Sequence, residues 1–186
     1  ERYITYITGA AHGDFGDSLK QRGRTVMDII SAKFPVSAKV GGIAVIVSLL
    51  LGVPLGVLAA YNRGKLIDSL FSVIATCGIA VPSFVVCTLL MYALGVKMKV
   101  LPTLGLTGWK NYIMPVCALA AYPTSYIMRL MRSSMLDVLG QDYMRTARAK
   151  GLSQKVALFK HALRNAILPV ITYLGPMIAY TLTGSF

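Results

Sequence analysis

VGGIAVIVSLLLGVPLGVLAAY, residues Val40 to Tyr61, carries no charged side chain. About 20 apolar residues in helical form cross a bilayer core, and a helix satisfies its own backbone hydrogen bonds where water is absent. The stretch therefore reads as a transmembrane helix, and the chain as an all-α integral membrane protein. Gly52 and Gly56 lie four residues apart with Pro54 between them, a spacing that predicts close helix packing and a bend.

Downstream, the turn Asn62, Arg63, Gly64, Lys65 leads into an apolar run from Leu66 to Val96, interrupted by Asp68 and Pro82. A straight helix of that length, rising about 1.5 Å per residue, overshoots a core of ~30 Å, so a kink is expected at Pro82. A third span is predicted over 112–130 and a fourth over 163–186, with Pro123 and Pro169 as further bend points. The expected layout is thus a segment outside the bilayer core over 1–39, then a transmembrane domain over 40–186 with spans 40–61, 66–96, 112–130 and 163–186. In the first segment, TVMDIISAKF (Thr25 to Phe34) puts Val26, Ile29, Ile30 and Phe34 on one helical face, the pattern of a short amphipathic helix at a membrane surface. The chain opens on Glu1 without a signal-peptide pattern and stops at Phe186 inside an apolar run, so a fragment is expected.

The composition agrees with a membrane chain. Of 186 residues, 55% are hydrophobic and 14% charged, with a mean hydropathy of +0.64, whereas soluble domains keep about 25% charged residues. Lys and Arg number 19 against 7 Asp and Glu, an excess that fits cytoplasmic loops and anionic headgroups before nucleic acid. Cys77, Cys87 and Cys117 lie in apolar stretches without metal-ligand spacing and read as small buried hydrophobes. His12 and His161 stand alone. No paired carboxylates, no Ser/His/Asp set and no His/Cys cluster lie in or beside the spans, so an enzyme is not indicated. No Asp, Glu or His occupies the centre of a span, which leaves no visible proton relay. Gly64-Lys65 lacks the other residues of a phosphate-binding loop, so any nucleotide is bound by another polypeptide.

Arg129 to Arg164 holds eight of the basic residues against Asp137 and Asp142 alone. It reads as helix, turn, helix: Ser134 to Lys150, a stop at Gly151, then a helix from Gln154 to about Leu163 capped by Ser153. In the second helix Val156, Phe159, Ala162 and Leu163 share a face. A hairpin resting on anionic lipid is one reading, at about 1 kcal/mol per basic residue. A DNA-binding helix-turn-helix is another, opposed by the flanking spans. Loops between spans carry ten basic residues on this side against three on the other, which places residues 131–162 in the cytoplasm. Trp109 and Tyr112 then lie at headgroup depth on the far side as aromatic anchors.

DYMRTARAKGLSQKVALFKHALRNAILPVIT (Asp142 to Thr172) closely resembles the cytoplasmic loop of permease subunits in ATP-binding-cassette importers of the dipeptide, oligopeptide and nickel class, most of all the first of the two permeases. The resemblance continues in GDFGDSL (Gly13 to Leu19), LGVPLGVLAAY (Leu51 to Tyr61), VPSF (Val81 to Phe84) and LPTLG (Leu101 to Gly105), and so covers nearly the whole chain. It implies the type I importer fold, here with four transmembrane helices, and an EAA-type loop whose short helix docks in a groove of an ATPase subunit. By position, Arg145, Thr146 and Ala147 take the Glu-Ala-Ala sites and Gly151 the glycine site, and the docking segment extends over Arg148, Ala149, Lys150 and Leu152. The chain departs from the general pattern with Arg145 at the acidic position and Leu163-Arg164 where a proline is common. Small residues at 147, 149 and 151 allow close backbone approach, and Arg145, Arg148 and Lys150 can meet acidic groups at a groove's rim.

The resemblance further implies a multi-pass protein of a bacterial or archaeal plasma (inner) membrane. Its partners would be a second homologous permease, two ATPase subunits, an extracytoplasmic substrate-binding protein and membrane lipids, without nucleic acid. ATP and magnesium would sit on the ATPases and no cofactor on this chain, and the cargo would be a short peptide or nickel. No substrate-contacting residue is assigned. The rivals from other classes are an ATP-independent channel or scaffold and a proton-coupled peptide carrier.

Overall fold

The computed structural model describes residues 2–105, 108–153 and 156–183, and only the backbone of Arg2, Ala147, Arg148 and Lys160. The described residues are helical apart from turns and an isolated antiparallel bridge, Asp17 to Thr25. The chain divides into two units, Glu1–Lys39 and Val40–Phe186.

The first unit contains α1 (Arg2–Ala11) and the start of α2 (Val26–Tyr61). Between them, the Asp14 carboxylate accepts from the Gly16 N–H at 2.9 Å and Val26 N–H donates to the Gly16 carbonyl at 3.0 Å. Thr25 and Asp28 cap α2 reciprocally: Asp28 N–H donates to Thr25 Oγ1 at 3.1 Å, and Thr25 N–H to Asp28 Oδ2 at 3.2 Å. This pair satisfies two donors that a helix start otherwise leaves open. The sequence led us to expect a short surface helix and a separate span; instead α2 runs unbroken through Pro35 and Pro54 for 36 residues.

In the second unit α3 (Leu66–Ala80) and α4 (Ser83–Lys97, π-helical from Met91) replace the expected single span 66–96. Val81 and Pro82 are extended, and the two helices meet at 101°. A proline disfavours helical geometry in the residue before it, so the expected kink is a full break. α5 (Lys110–Leu139) passes through Pro115 and Pro123 and outruns the expected span 112–130 by nine residues at its end. α6 (Asp142–Ala149), α7 (Ala157–Ala166, π-helical over Ala157–Ala162) and α8 (Leu168–Thr183) complete the order. α7 and α8 meet at 44° beside Pro169. Residues 184–186 of the fourth expected span lie outside the described residues. Among the described residues, α2 alone is long and apolar enough to cross a membrane by length and composition, or three segments if each bent pair counts as one; α5 has the length but a more polar composition.

Helix α5 is the hub. Val40 and Ala44 of α2 pack with its Val116 and Ala120, and Ser48 Oγ donates to the Ala120 carbonyl at 3.3 Å. Further along, a Cβ on Gly56 would lie 2.6 Å from both the Met128 carbonyl oxygen and Met131 Cβ. The two backbones touch because that position has no side chain. α2 and α5 therefore run in the same direction. α3 runs against α5, with Asp68 at Arg132 and Gly78 at Ser125. α8 also runs against it, held by Tyr126 and Tyr173 at 4.4 Å between ring centroids. The turn 62–65 and the segment 140–162 thus share one end of the bundle.

Large apolar side chains point outward, among them Ile46, Leu50, Val73, Phe84 and Ile171, as suits a surface solvated by lipid or by other membrane helices. Cys77 and Cys117 lie on that outer surface and Cys87 is half-buried, which corrects their reading as core residues. In a chain surrounded by apolar solvent, hydrophobicity does not report burial.

Candidate functional site

The expected helix Ser134 to Lys150 is two helices. α5 ends at Leu139, Gly140 donates to the Leu136 and Asp137 carbonyls at 3.2 Å, and α6 restarts at Asp142. A carboxylate in the first turn suits the positive end of a helix dipole. Arg145 Nη1 lies 3.5 Å from Asp142 Oδ1, yet both side chains are exposed, so this contact stabilises little.

α6 has two sides. Met144 is fully buried, packed with Met131, Met135, Leu158 and Ala162. Arg145, Thr146, Ala149 and Lys150 are exposed and Leu152 is half-buried. The side chains of Ala147 and Arg148 lie outside the described residues. Gly151 closes the helix at φ +81°, the left-handed geometry that a C-terminal glycine adopts without penalty. Ser153 Oγ accepts from Val156 N–H at 3.5 Å, at the position expected for the cap.

Of the four residues that share a face in the second helix by sequence, Ala162 is buried, Leu163 is half-buried, and Val156 and Phe159 are exposed; Ala157, Leu158 and Ala166 are buried beside Ala162. The stretch Ala157–Ala162 is π-helical, with more residues per turn than an α-helix. Tyr143, also exposed, accepts a hydrogen bond from Asn165 Nδ2 at 2.9 Å and ties α6 to α7. The surface at this end therefore combines cations at 145 and 150 with apolar groups at 143, 156 and 159. The sequence pairs Val156 with Phe159 on one helical face, whereas nothing in it singles out Tyr143, whose exposure follows from the packing of α6 through Met144.

Beneath this surface, Asp68 takes two hydrogen bonds from Arg132, from Nε at 2.5 Å and from Nη2 at 2.8 Å, and a third from Gly64 N–H at 3.0 Å. In the sequence Asp68 interrupts an apolar run, and nothing there marks Arg132 as its partner. The pair fastens α3 to the stretch of α5 that leads into α6. Among the described residues no three His, Cys, Asp or Glu side chains gather as a metal site. The surface has the chemistry of a protein-docking face, with cations around an exposed apolar centre.

Residues 52–186 match the family described as "Binding-protein-dependent transport system inner membrane component". The chain is 43% identical over 185 residues to the dipeptide transport system permease protein DppB of Bacillus subtilis, covering 100% of this chain and 60% of that protein. It is 41% identical over 186 residues to the oligopeptide transport system permease protein OppB of Salmonella typhimurium, covering 99% and 61%, and 40% identical to OppB of Escherichia coli K12, with the same coverage. The chain thus spans about three fifths of the length of these curated relatives.

Proposed function

Because this chain belongs to the binding-protein-dependent transport system inner membrane components and has the all-helical membrane fold of type I ATP-binding-cassette importers, we propose that it forms half of a translocation pathway for short peptides. The cargo class rests on relatives named for dipeptide and oligopeptide transport. A second homologous permease supplies the other half, an extracytoplasmic binding protein delivers the peptide, and two ATPase subunits hold ATP and magnesium. Residues 1–39 lie on the extracytoplasmic side and 131–162 in the cytoplasm.

Arg145 to Leu152 is the docking segment. The observation that carries this assignment is the two-sidedness of α6: Met144 anchors it to the core while Arg145, Thr146, Ala149 and Lys150 are exposed. A helix fixed on one side and exposed on the other can be pushed by a partner without detaching. Closure of the ATPases moves α6, and Met144 and the Tyr143–Asn165 bond carry the movement into α7 and α5.

Co-purification of the full-length permease with its ATPases in detergent tests this. Lys150→Glu reverses an exposed charge, and Gly151→Asp forces a left-handed conformation on a residue with a Cβ. Loss of the ATPases from both variants, with membrane insertion intact, is the expected result. Retention in both at the parental level means that the ATPases dock elsewhere.

A further inference from the structure

Between α2, α3 and α5 lies a cleft of about 250 Å³ whose lining includes Ala59, Phe71, Ser72, Thr76, Arg129 and Arg132. Asp68 engages Nε and Nη2 of Arg132 and leaves Nη1. Arg129, one turn earlier on α5, is exposed and pairs with no carboxylate among the described residues. The Ser72 hydroxyl has no hydrogen-bond partner among them either, whereas Thr76 Oγ1 donates to the Ser72 carbonyl at 2.8 Å. Arg129, Arg132 and Asp68 together leave one net positive charge, with donors from two guanidiniums and a hydroxyl.

We propose that this cleft holds the phosphate of an anionic phospholipid headgroup, with Arg129 as its counter-charge and Ser72 and Arg132 as further donors. A phosphodiester carries one negative charge and acceptor oxygens that fit a guanidinium fork; in an anionic lipid no headgroup cation offsets that charge, so it equals the cleft's excess. The depth fits a lipid: Arg129 ends the apolar stretch of α5, and Ser72 lies nearly two turns inside the start of α3. Val73 and Ile74, neighbours of Ser72, expose apolar side chains along which acyl chains can lie. The site depends on membrane embedding alone, whatever the cargo.

The test uses the full-length permease in its complex, purified in mild detergent with phosphatidylglycerol or phosphatidylcholine of the same acyl chains and analysed by native mass spectrometry. The parent should retain phosphatidylglycerol in preference to phosphatidylcholine. Arg129→Gln should lower that retention about tenfold, the scale of a lost charge-assisted contact. Ser72→Ala, which removes one oxygen atom and spares the fold, should lower it about two- to threefold, as for a neutral hydrogen bond at the weak end of its range. Lys110→Gln at the opposite end of α5 should leave it unchanged. Equal retention in the parent and Ser72→Ala overturns the proposal even if Arg129→Gln fails to fold. So does indifference to the headgroup, displacement of the lipid by millimolar inorganic phosphate, or a cross-link from position 129 to a carboxylate of the second permease.

Discussion

Substituting Arg132 and Asp68 by alanine, singly and together, should give unequal costs. Asp68 is 7% exposed at its side chain and Arg132 30%. When Arg132 is removed, the carboxylate keeps the Gly64 N–H alone, and an unpaired buried charge costs about 3–5 kcal/mol. When Asp68 is removed, the guanidinium still reaches polar surroundings, so the loss is nearer that of one charged hydrogen bond, about 1.5–3 kcal/mol. The double variant leaves no orphaned charge and should be less destabilised than the sum by about 1.5–3 kcal/mol. Reversible unfolding of the full-length permease in mixed micelles, followed by circular dichroism, measures all three. Equal single costs that add to within about 0.5 kcal/mol would refute the reasoning, because contacting residues couple and independent ones do not.

Gly56→Ala should lower the stability of the permease by about 1–3 kcal/mol through overpacking against the α5 backbone, whereas Gly42→Ala, whose Cβ meets nothing within 4 Å, should raise it by about 0.4–1 kcal/mol; thermal unfolding midpoints of the two should move in opposite directions. Met144→Ala empties a fully buried site and should cost about 2–5 kcal/mol, read as faster proteolysis between α5 and α7 than in the parent. Tyr143→Phe removes the acceptor for Asn165 and should cost about 0.5–1.5 kcal/mol, seen as quicker amide exchange in α6.

The legible parts of the molecule are those set by local chemistry. Val40 to Tyr61 lies within a helix because its apolar run has no alternative, the chain breaks at Pro82 because that ring disfavours helix before it, and Ser153 and Gly151 act as cap and terminator from their own functional groups. What stayed hidden depends on distance or register. Asp68 and Arg132 are 64 residues apart, and nothing in either apolar run says which of the nearby arginines faces the carboxylate. The break at Gly140 was overlooked because the residues on both sides favour helix. Val156, Phe159, Ala162 and Leu163 share a face by helical repeat, yet Ala162 is buried while Val156 and Phe159 are exposed, because what covers a helix is decided by residues far along the chain. The cysteines were misplaced because apolar surroundings mean burial only in water.

Four methionines, Met131, Met135, Met144 and Met177, form much of the buried seam where α5 meets α6 and α8. An unbranched thioether changes rotamer at little cost, unlike the interlocked β-branched side chains of a rigid core. The joint that holds α6 is therefore compliant: neighbouring helices can slide against it and re-form contacts in the new position, as a bearing does. Its weak point is chemical, since sulfoxide formation would put a polar oxygen into the joint and stiffen or open it.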